Sequence, residues 1–587
     1  MSYFTRAGST RSWLPLLLIL LLGTALRFYR LDTYSIFFDE KSTLVVSQGI
    51  VLEGANQKDV FTKSTFTPQD FWQPKALADY YEAMTRSDIG NSPFYYLLLH
   101  GWMELFGLSD FAARAFSVLF SIGIMVVMYL FARRFFGEKP ALLSAALVAI
   151  EPFFIAYSHQ ARNYSLTFFL ALLATYFFLQ IIENENDKKR NYLLYAGYIL
   201  AVGLSLLSHF LAATVLLVHG LYALLYLRNV AGWVRMAVAG TLALSGLVWW
   251  MTLGGGVWTL RTLAYQADLY REMAKTRPFD NPFGIILPAT LPNVFLKSLP
   301  IFSDLVLFTN GLTDALEGKK NVVVSVSVGV ILALWYYTRS RWKQPEAIQR
   351  TVPAALLLLS AFFYSNHPLQ FAILSISIWA LLLLPQVHRR ADALQRQRLW
   401  LLYLMALVPT LFLIVMSFKN GHTYGLTQRY SGFSFPYVIL LLSLLILYIG
   451  SFAPRDFKVP FFLLMGIQLY FVSTRLVEFY QDRSVKYNYY AIPRRTNPYY
   501  EAAQLIKKNY QPGDTIFYPA PRIELVSEMD RTFLPYSVQD AQLTNLYLPK
   551  DAHYIQAMDT TQTDKIVMKR AGRGDSLSLV NLRGVRY

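Results

Sequence analysis

Long apolar runs recur along the chain up to about residue 475, separated by short polar clusters rich in Lys and Arg. A helix needs about 20 apolar residues to cross ~30 Å of hydrocarbon. The pattern predicts thirteen such spans, at 12–29, 112–134, 140–158, 163–182, 191–207, 209–227, 233–252, 321–338, 351–365, 368–386, 399–417, 433–452 and 459–475. The run from Ser92 to Phe106 is shorter, aromatic and carries Pro93 near its start, and reads as a helix lying at the membrane interface.

Charge sets the orientation. Arg6 and Arg11 precede the first run and place the N-terminus in the cytoplasm. The same stretch has the form of a signal peptide, but the spans behind it favour an uncleaved first helix. The inside loops carry Arg133, Arg134 and Lys139, then Lys188, Lys189 and Arg190, then Arg228 and Arg235. Later ones carry Arg339, Arg341, Lys343 and Arg350, then Arg389, Arg390, Arg396 and Arg398, then Arg455 and Lys458. The first outer loop, about 30–92, has nine acids against six bases. An odd number of spans then leaves the C-terminal tail outside a plasma (inner) membrane.

Composition agrees with this reading. Hydrophobic residues make up 55% and charged residues 16%, against about 25% charged in globular chains. Disorder, collagen and coiled coil are excluded. The net charge of +17 is read as loop charge, with no nucleic-acid partner. With no cysteine, disulfides, thiolate zinc sites and cysteine nucleophiles are excluded. The expected fold is an all-α polytopic membrane protein of about 13 transmembrane helices with a small extracytoplasmic α/β module. The transmembrane domain takes 1–475, with long outer loops 30–92 and 253–320, and the module takes 476–587. In the module, Tyr499 to Asn509 has helical spacing, and Thr515 to Tyr518, Lys565 to Met568 and Leu577 to Leu582 read as strands.

Four polar strings fall at the outer face. Phe37-Phe38-Asp39-Glu40-Lys41 sets two carboxylates beside aromatic rings, which suits a general base and an orienting group. It is also the composition of an ordinary solvated acidic turn. Ser158-His159-Gln160-Ala161-Arg162-Asn163-Tyr164 is a donor cluster suited to phosphate, or an arginine snorkelling to the interface. Asp88 and Asn91 lead into Ser92-Pro93-Phe94-Tyr95-Tyr96, whose tyrosines read as interface anchors. Gln428-Arg429-Tyr430 is basic on the side where the positive-inside rule gives no reason for it. His209 and His100 read as structural histidines, and Glu151, beside Pro152, as a carboxylate supporting the site from behind or a break in a helix. No HExxH, Walker or dinucleotide pattern is present.

Together these strings resemble the glycosyltransferases of family 39 type in the glycosyltransferase C superfamily, which include protein O-mannosyltransferases and lipid A aminoarabinose transferases. The acidic pair Asp39-Glu40 after span one, Ser92-Pro93-Phe94-Tyr95-Tyr96 before Leu105-Phe106-Gly107, Arg114 opening span two, and Gln160-Ala161-Arg162-Asn163-Tyr164 opening span four carry the resemblance. It covers about residues 12–230 and is mostly topological beyond, apart from Arg429-Tyr430. A lysine that some members place before the aromatic pair is absent here, where Asn91-Ser92-Pro93 stands.

The resemblance implies transfer of a hexosyl or pentosyl group from a polyprenyl-phosphate donor to an acceptor hydroxyl at the outer face, with inversion. Asp39 would take the acceptor proton and Glu40 would orient it or share the proton. Arg162 and Arg429, with Tyr164 and Tyr430, would hold the departing phosphate. Asp88, Asn91 and His159 would stand behind them. With arginines on the phosphate no metal or other cofactor is required. The expected acceptor is a glycolipid or polysaccharide of the cell envelope, such as lipopolysaccharide. A protein acceptor is disfavoured, because loop 253–320 is too short for the sugar-binding domain of the protein-mannosylating branch. The competing readings are a lipid-linked-sugar flippase and an O-antigen-type polymerase or ligase.

Overall fold

The computed structural model describes residues 13–586 except 88–90, 184–187, 282, 339–344, 484–495, 524–533 and 573, and excludes the side chains of Phe38 and of 188–191. Arg6, Arg11, Asp88, Arg339, Arg341 and Lys343 therefore lie outside the described residues, as do the side chains of Lys188, Lys189 and Arg190.

Among the described residues, nine helices are long and apolar enough to cross a membrane. The pair α5 (Glu138–Ile150) and α6 (Pro152–Ser158), bent by 55°, makes a tenth if taken as one span. The other three expected spans coincide with shorter apolar helices, among them α1 (Trp13–Phe28). Among the described residues, then, nine or ten spans stand by length, and the expected count of thirteen is not confirmed. The helices face lipid where the sequence is apolar all round. In Glu346–Tyr364 the one side chain buried is Ala361, while Leu358, Leu359, Phe362 and Phe363 are exposed.

The bend at Glu151 has a local cause. Pro152 offers no N–H to the carbonyl of Val148. Arg27 of α1 supplies the missing donors, Nη2 to Val148 O at 3.0 Å and Nη1 to Ala149 O at 3.1 Å, and its Nε donates to Ser121 Oγ at 2.7 Å.

The loop expected on the outer side after α1 folds as short helices, beginning with α2 (Phe38–Ser47), and returns through α3 (Pro93–Phe106) to α4 (Asp110–Phe136). Glu40 is the third residue of α2, and its carboxylate caps the helix by accepting from Phe37 N at 3.1 Å. Both its oxygens are then taken up by Arg114 of α4, from Nε and Nη2 at 2.9 Å each, and Ala161 N adds a bond at 2.8 Å. The remaining guanidinium donors of Arg114 hold the carbonyls of Leu31, Tyr34 and Ser35. Glu40 is fully buried and Arg114 nearly so. This single pair ties the loop after α1, the start of α2, the body of α4 and the turn at 160–162 to one point.

The C-terminal module contains helix Pro498–Asn509 and a four-stranded sheet of order β2 (Ile555–Asp559), β1 (Thr515–Pro519), β3 (Lys565–Lys569), β4 (Ser576–Asn581), with β1 parallel to β2 and the other pairs antiparallel. It is continuous with the first outer loop. Ile36, Val45, Phe61 and Phe66 share one apolar cluster with Tyr499, Ile516 and Val538. Phe66 and Gln556 exchange backbone hydrogen bonds at 2.9 and 2.8 Å. The helix before the module runs to Tyr480, past the expected edge at 475. Lys41 is buried at this junction, its Nζ 4.8 Å from the Tyr499 ring centre. Tyr499 Oη donates to Asp540 at 3.0 Å, and Arg586 pairs with Asp540 at 2.7 Å. Burial lowers the Lys41 pKa to about 8, opposed by Asp540 and assisted by Arg586.

Two outcomes follow. Glu40→Gln leaves the Arg114 charge buried and unpaired, and is expected to cost about 3–5 kcal/mol, read as a marked fall in Tm in detergent. Lys41 gives up its proton near pH 8 when folded and near 10.5 when unfolded, so its burial cost is complete below about pH 8 and fades as pH rises towards 10.5. Lys41→Met should therefore raise Tm at pH 7, with a gain that shrinks by pH 10. A gain independent of pH contradicts this.

Candidate active site

Asp39 occupies the second position of α2, where the helix N-terminus favours a negative charge. Its side chain is 21% exposed, and Oδ2 lies 3.6 Å from Arg429 Nη1, an ion pair rather than a hydrogen bond. The main-chain carbonyl of Asp39 accepts from Arg162 Nη1 at 3.3 Å. The same nitrogen donates to Thr43 Oγ1 at 2.8 Å and reaches Tyr96 Oη at 3.5 Å. Thr43, one turn after Asp39, also donates to the Asp39 carbonyl at 2.8 Å. One carboxylate and two guanidiniums, from three distant parts of the chain, thus share one place.

Each arginine sits on a turn that is held from several sides. In the turn before α7 (Tyr164–Glu183), Ser117 Oγ donates to Gln160 O at 2.6 Å, and Ala161 N to Glu40. Asn163 Nδ2 donates to Ser92 Oγ at 2.7 Å and to Ser208 O at 2.6 Å. Arg429 lies on a turn closed by Ser431 N to Gln428 O at 3.1 Å. Gly432 presses that turn onto α7, so closely that a Cβ there would fall 2.0 Å from the Phe168 ring.

Aromatic groups line the same region. Arg429 lies 4.8 Å from the Tyr430 ring centre. His209, in the turn ahead of Phe210–Ala212, stands 5.8 Å from the ring of Tyr430 and 5.9 Å from that of Tyr164. The two arginines make the region favourable for an anion.

The structure brings together Asp39, Arg162, Arg429, Tyr164 and Tyr430. Glu40, expected to orient the acceptor or share its proton, is buried against Arg114, because successive helical residues point about 100° apart and α2 turns it inward. His159 points elsewhere, packing on Phe479 and Tyr480 at 5.2 and 5.9 Å. Asn91 is half-buried next to Ser92, and Asp88 lies outside the described residues. Three contacts are not readable in the sequence. Tyr96 has the sequence setting of an interface anchor, yet its hydroxyl reaches Arg162. Thr43 has one available signal, its position four residues after Asp39 on a helix. Asp304, which accepts from Gln428 Nε2 at 3.0 Å, is signalled only as a lone acid in an apolar stretch.

A family model described as dolichyl-phosphate-mannose-protein mannosyltransferase matches residues 90–251. None of the curated proteins matches. Among solved structures, ArnT from Cupriavidus metallidurans bound to undecaprenyl phosphate is similar at 15% identity and a TM-score of 0.38, over 92% of this chain and 85% of that one. The oligosaccharyltransferase of Archaeoglobus fulgidus in the apo form is similar at 12% identity and a TM-score of 0.42, over 86% of this chain and 58% of that one. Likenesses at this level say nothing of residues or substrates. The family match spans the interfacial helix and the second to seventh expected spans, where the motifs of the sequence resemblance lie. Over this segment the chain is similar to the dolichyl-phosphate-mannose-protein mannosyltransferase family.

Proposed function

We propose that the protein moves a sugar from a polyprenyl-phosphate donor to an acceptor hydroxyl at the outer face of the membrane, by a single inverting displacement. The observation that carries this reading is the convergence at Asp39, whose carboxylate lies 3.6 Å from Arg429 and whose carbonyl is bonded to Arg162. A displacement from a sugar phosphate needs a proton acceptor on one side of the anomeric carbon and positive charge on the other. The description of the matched family, which names a dolichyl-phosphate sugar, supports the donor class.

In this mechanism the acceptor oxygen attacks the anomeric carbon while its proton passes to Asp39. The bond from that carbon to the phosphate oxygen breaks, and its electron pair leaves with the phosphate. Arg429 and Arg162 hold the new charge, with Tyr430, Tyr164 and Tyr96 beside them. Arg429 pairs with Asp39 at rest, and donor phosphate competes for it, which frees the carboxylate as the site fills. Glu40 acts as a positioning residue for α2. Two guanidiniums supply the charge, so the mechanism requires no metal ion. The acceptor is a glycolipid or polysaccharide of the cell envelope, reached from the outer face of the plasma membrane, with the N-terminus cytoplasmic and the C-terminal module outside.

The test is release of free polyprenyl phosphate by lipid-reconstituted protein offered a panel of polyprenyl-phosphate sugars. Asp39→Asn is expected to lower turnover by roughly 10²–10⁴-fold with an unchanged Tm. Arg429→Ala should lower kcat/KM for the donor while the Tm holds. Full turnover in a folded Asp39→Asn variant would remove the base assignment, and donor movement across the bilayer without release would make the protein a flippase.

A further inference from the structure

The second outer loop contains a turn buried as deeply as any span. Helix Leu291–Leu305 runs into it, and Ser303, Asp304, Leu305, Thr309 and Asn310 are all buried, Asp304 completely. The turn closes on itself. Ser303 Oγ donates to Thr309 O at 2.6 Å and Thr309 Oγ1 to Ser303 O at 2.7 Å. Asp304 Oδ1 accepts from Gly311 N at 3.0 Å. Gly311 has φ +73°, and a Cβ there would lie 2.1 Å from Arg475 Cζ, while Arg475 Nη2 donates to Gly311 O at 2.8 Å. Position 311 therefore requires glycine, and one oxygen of Asp304 is fixed by the backbone of its own turn.

The other oxygen leaves the turn. Asp304 Oδ2 accepts from Gln428 Nε2 at 3.0 Å, across 124 residues of sequence. Gln428 directly precedes Arg429, and its carbonyl closes the turn that presents Arg429 to Asp39. Burying a carboxyl group is costly unless its hydrogen bonds are worth more than the desolvation. An apolar side chain would pack this turn at lower cost, so a role in packing alone does not explain an acid here.

We infer that Asp304 is a positioning residue for Arg429, holding Gln428 so that the guanidinium is aimed at Asp39 and at the leaving phosphate. The inference rests on the proposed function for what Arg429 meets. It also assigns loop 253–320 a role, which is to brace the phosphate-binding turn.

The test uses the full chain in liposomes, with the variants Asp304→Asn, Gln428→Glu and the two combined. Each is made with Arg429 intact and in an Arg429→Ala background. Turnover of whichever polyprenyl-phosphate sugar the unmodified chain accepts, binding of undecaprenyl phosphate, and Tm are read together. Each single variant is expected to lower kcat/KM for the donor by roughly 10- to 100-fold. The combined variant should recover most of the loss, because the new amide donates to the new carboxylate. In the Arg429→Ala background, Asp304→Asn should cost nothing further, as a residue acting only through Arg429 must. An equal loss in both backgrounds, an absent loss, or no recovery in the combined variant would overturn the inference. If Asp304→Asn does not fold, Gln428→Met breaks the same bond from the other side and is read in the same two backgrounds. A chain that binds undecaprenyl phosphate but turns over no donor would sink the proposed function, and the positioning of Arg429 would then be read from binding alone. A chain that does neither would sink both.

Discussion

The buried pair of Glu40 and Arg114 is the constraint on which the loop after α1 and its neighbours depend. A carboxylate and a guanidinium withdrawn from water are stable only if nearly every donor and acceptor is used. Here Glu40 takes four donors, and Arg114 fills its remaining sites with three carbonyls of the loop after α1. Because those partners come from the loop, from α2, from α4 and from the turn at 160–162, none can move without breaking charge-assisted bonds in a medium where they are strong. Asp39 precedes Glu40 and Arg162 follows Ala161. Two of the residues proposed to meet the substrate are thus fixed as immediate neighbours of this one ion pair.

Around that point the molecule is layered. The spans and the Arg27-capped break at Glu151 form the base. The first outer loop lies on it, and the C-terminal module shares the loop's core and adds a bridge from Phe66 to Gln556. The module is thereby coupled to α2 through Lys41 and Tyr499, and to α4 through Asn497 Nδ2 and Tyr547 Oη, which donate to Asp110. The turn that carries Asp39 is held on one side by Arg114 of α4 and on the other by the C-terminal module.

Much of this order is legible in the chain. Apolar runs mark the helices because lipid forbids an exposed polar backbone. Strands β1, β3 and β4 follow their β-branched and alternating residues, whereas β2 (Ile555–Asp559) carries little signal, since its one β-branched residue is Ile555 and its pairing depends on distant chain. For the site, the two carboxylates are visible as a pair, but which of them faces the cleft depends on the phase of α2 and on Arg114, 74 residues away. Arg162 and Arg429 stand out because they are basic on an outer face. Asp304 does not, because a single acid among apolar residues acquires meaning only when Gln428 is placed beside it.

If Asp39, Arg162 and Arg429 form one site for a lipid-linked phosphate, a structure of the full chain in a lipid nanodisc with undecaprenyl phosphate bound should show it. Phosphate oxygens are expected about 2.7–2.9 Å from both guanidiniums, with Arg429 drawn off the Asp39 carboxylate. A phosphate seated elsewhere, with the Asp39 and Arg429 pair undisturbed, would rule that site out.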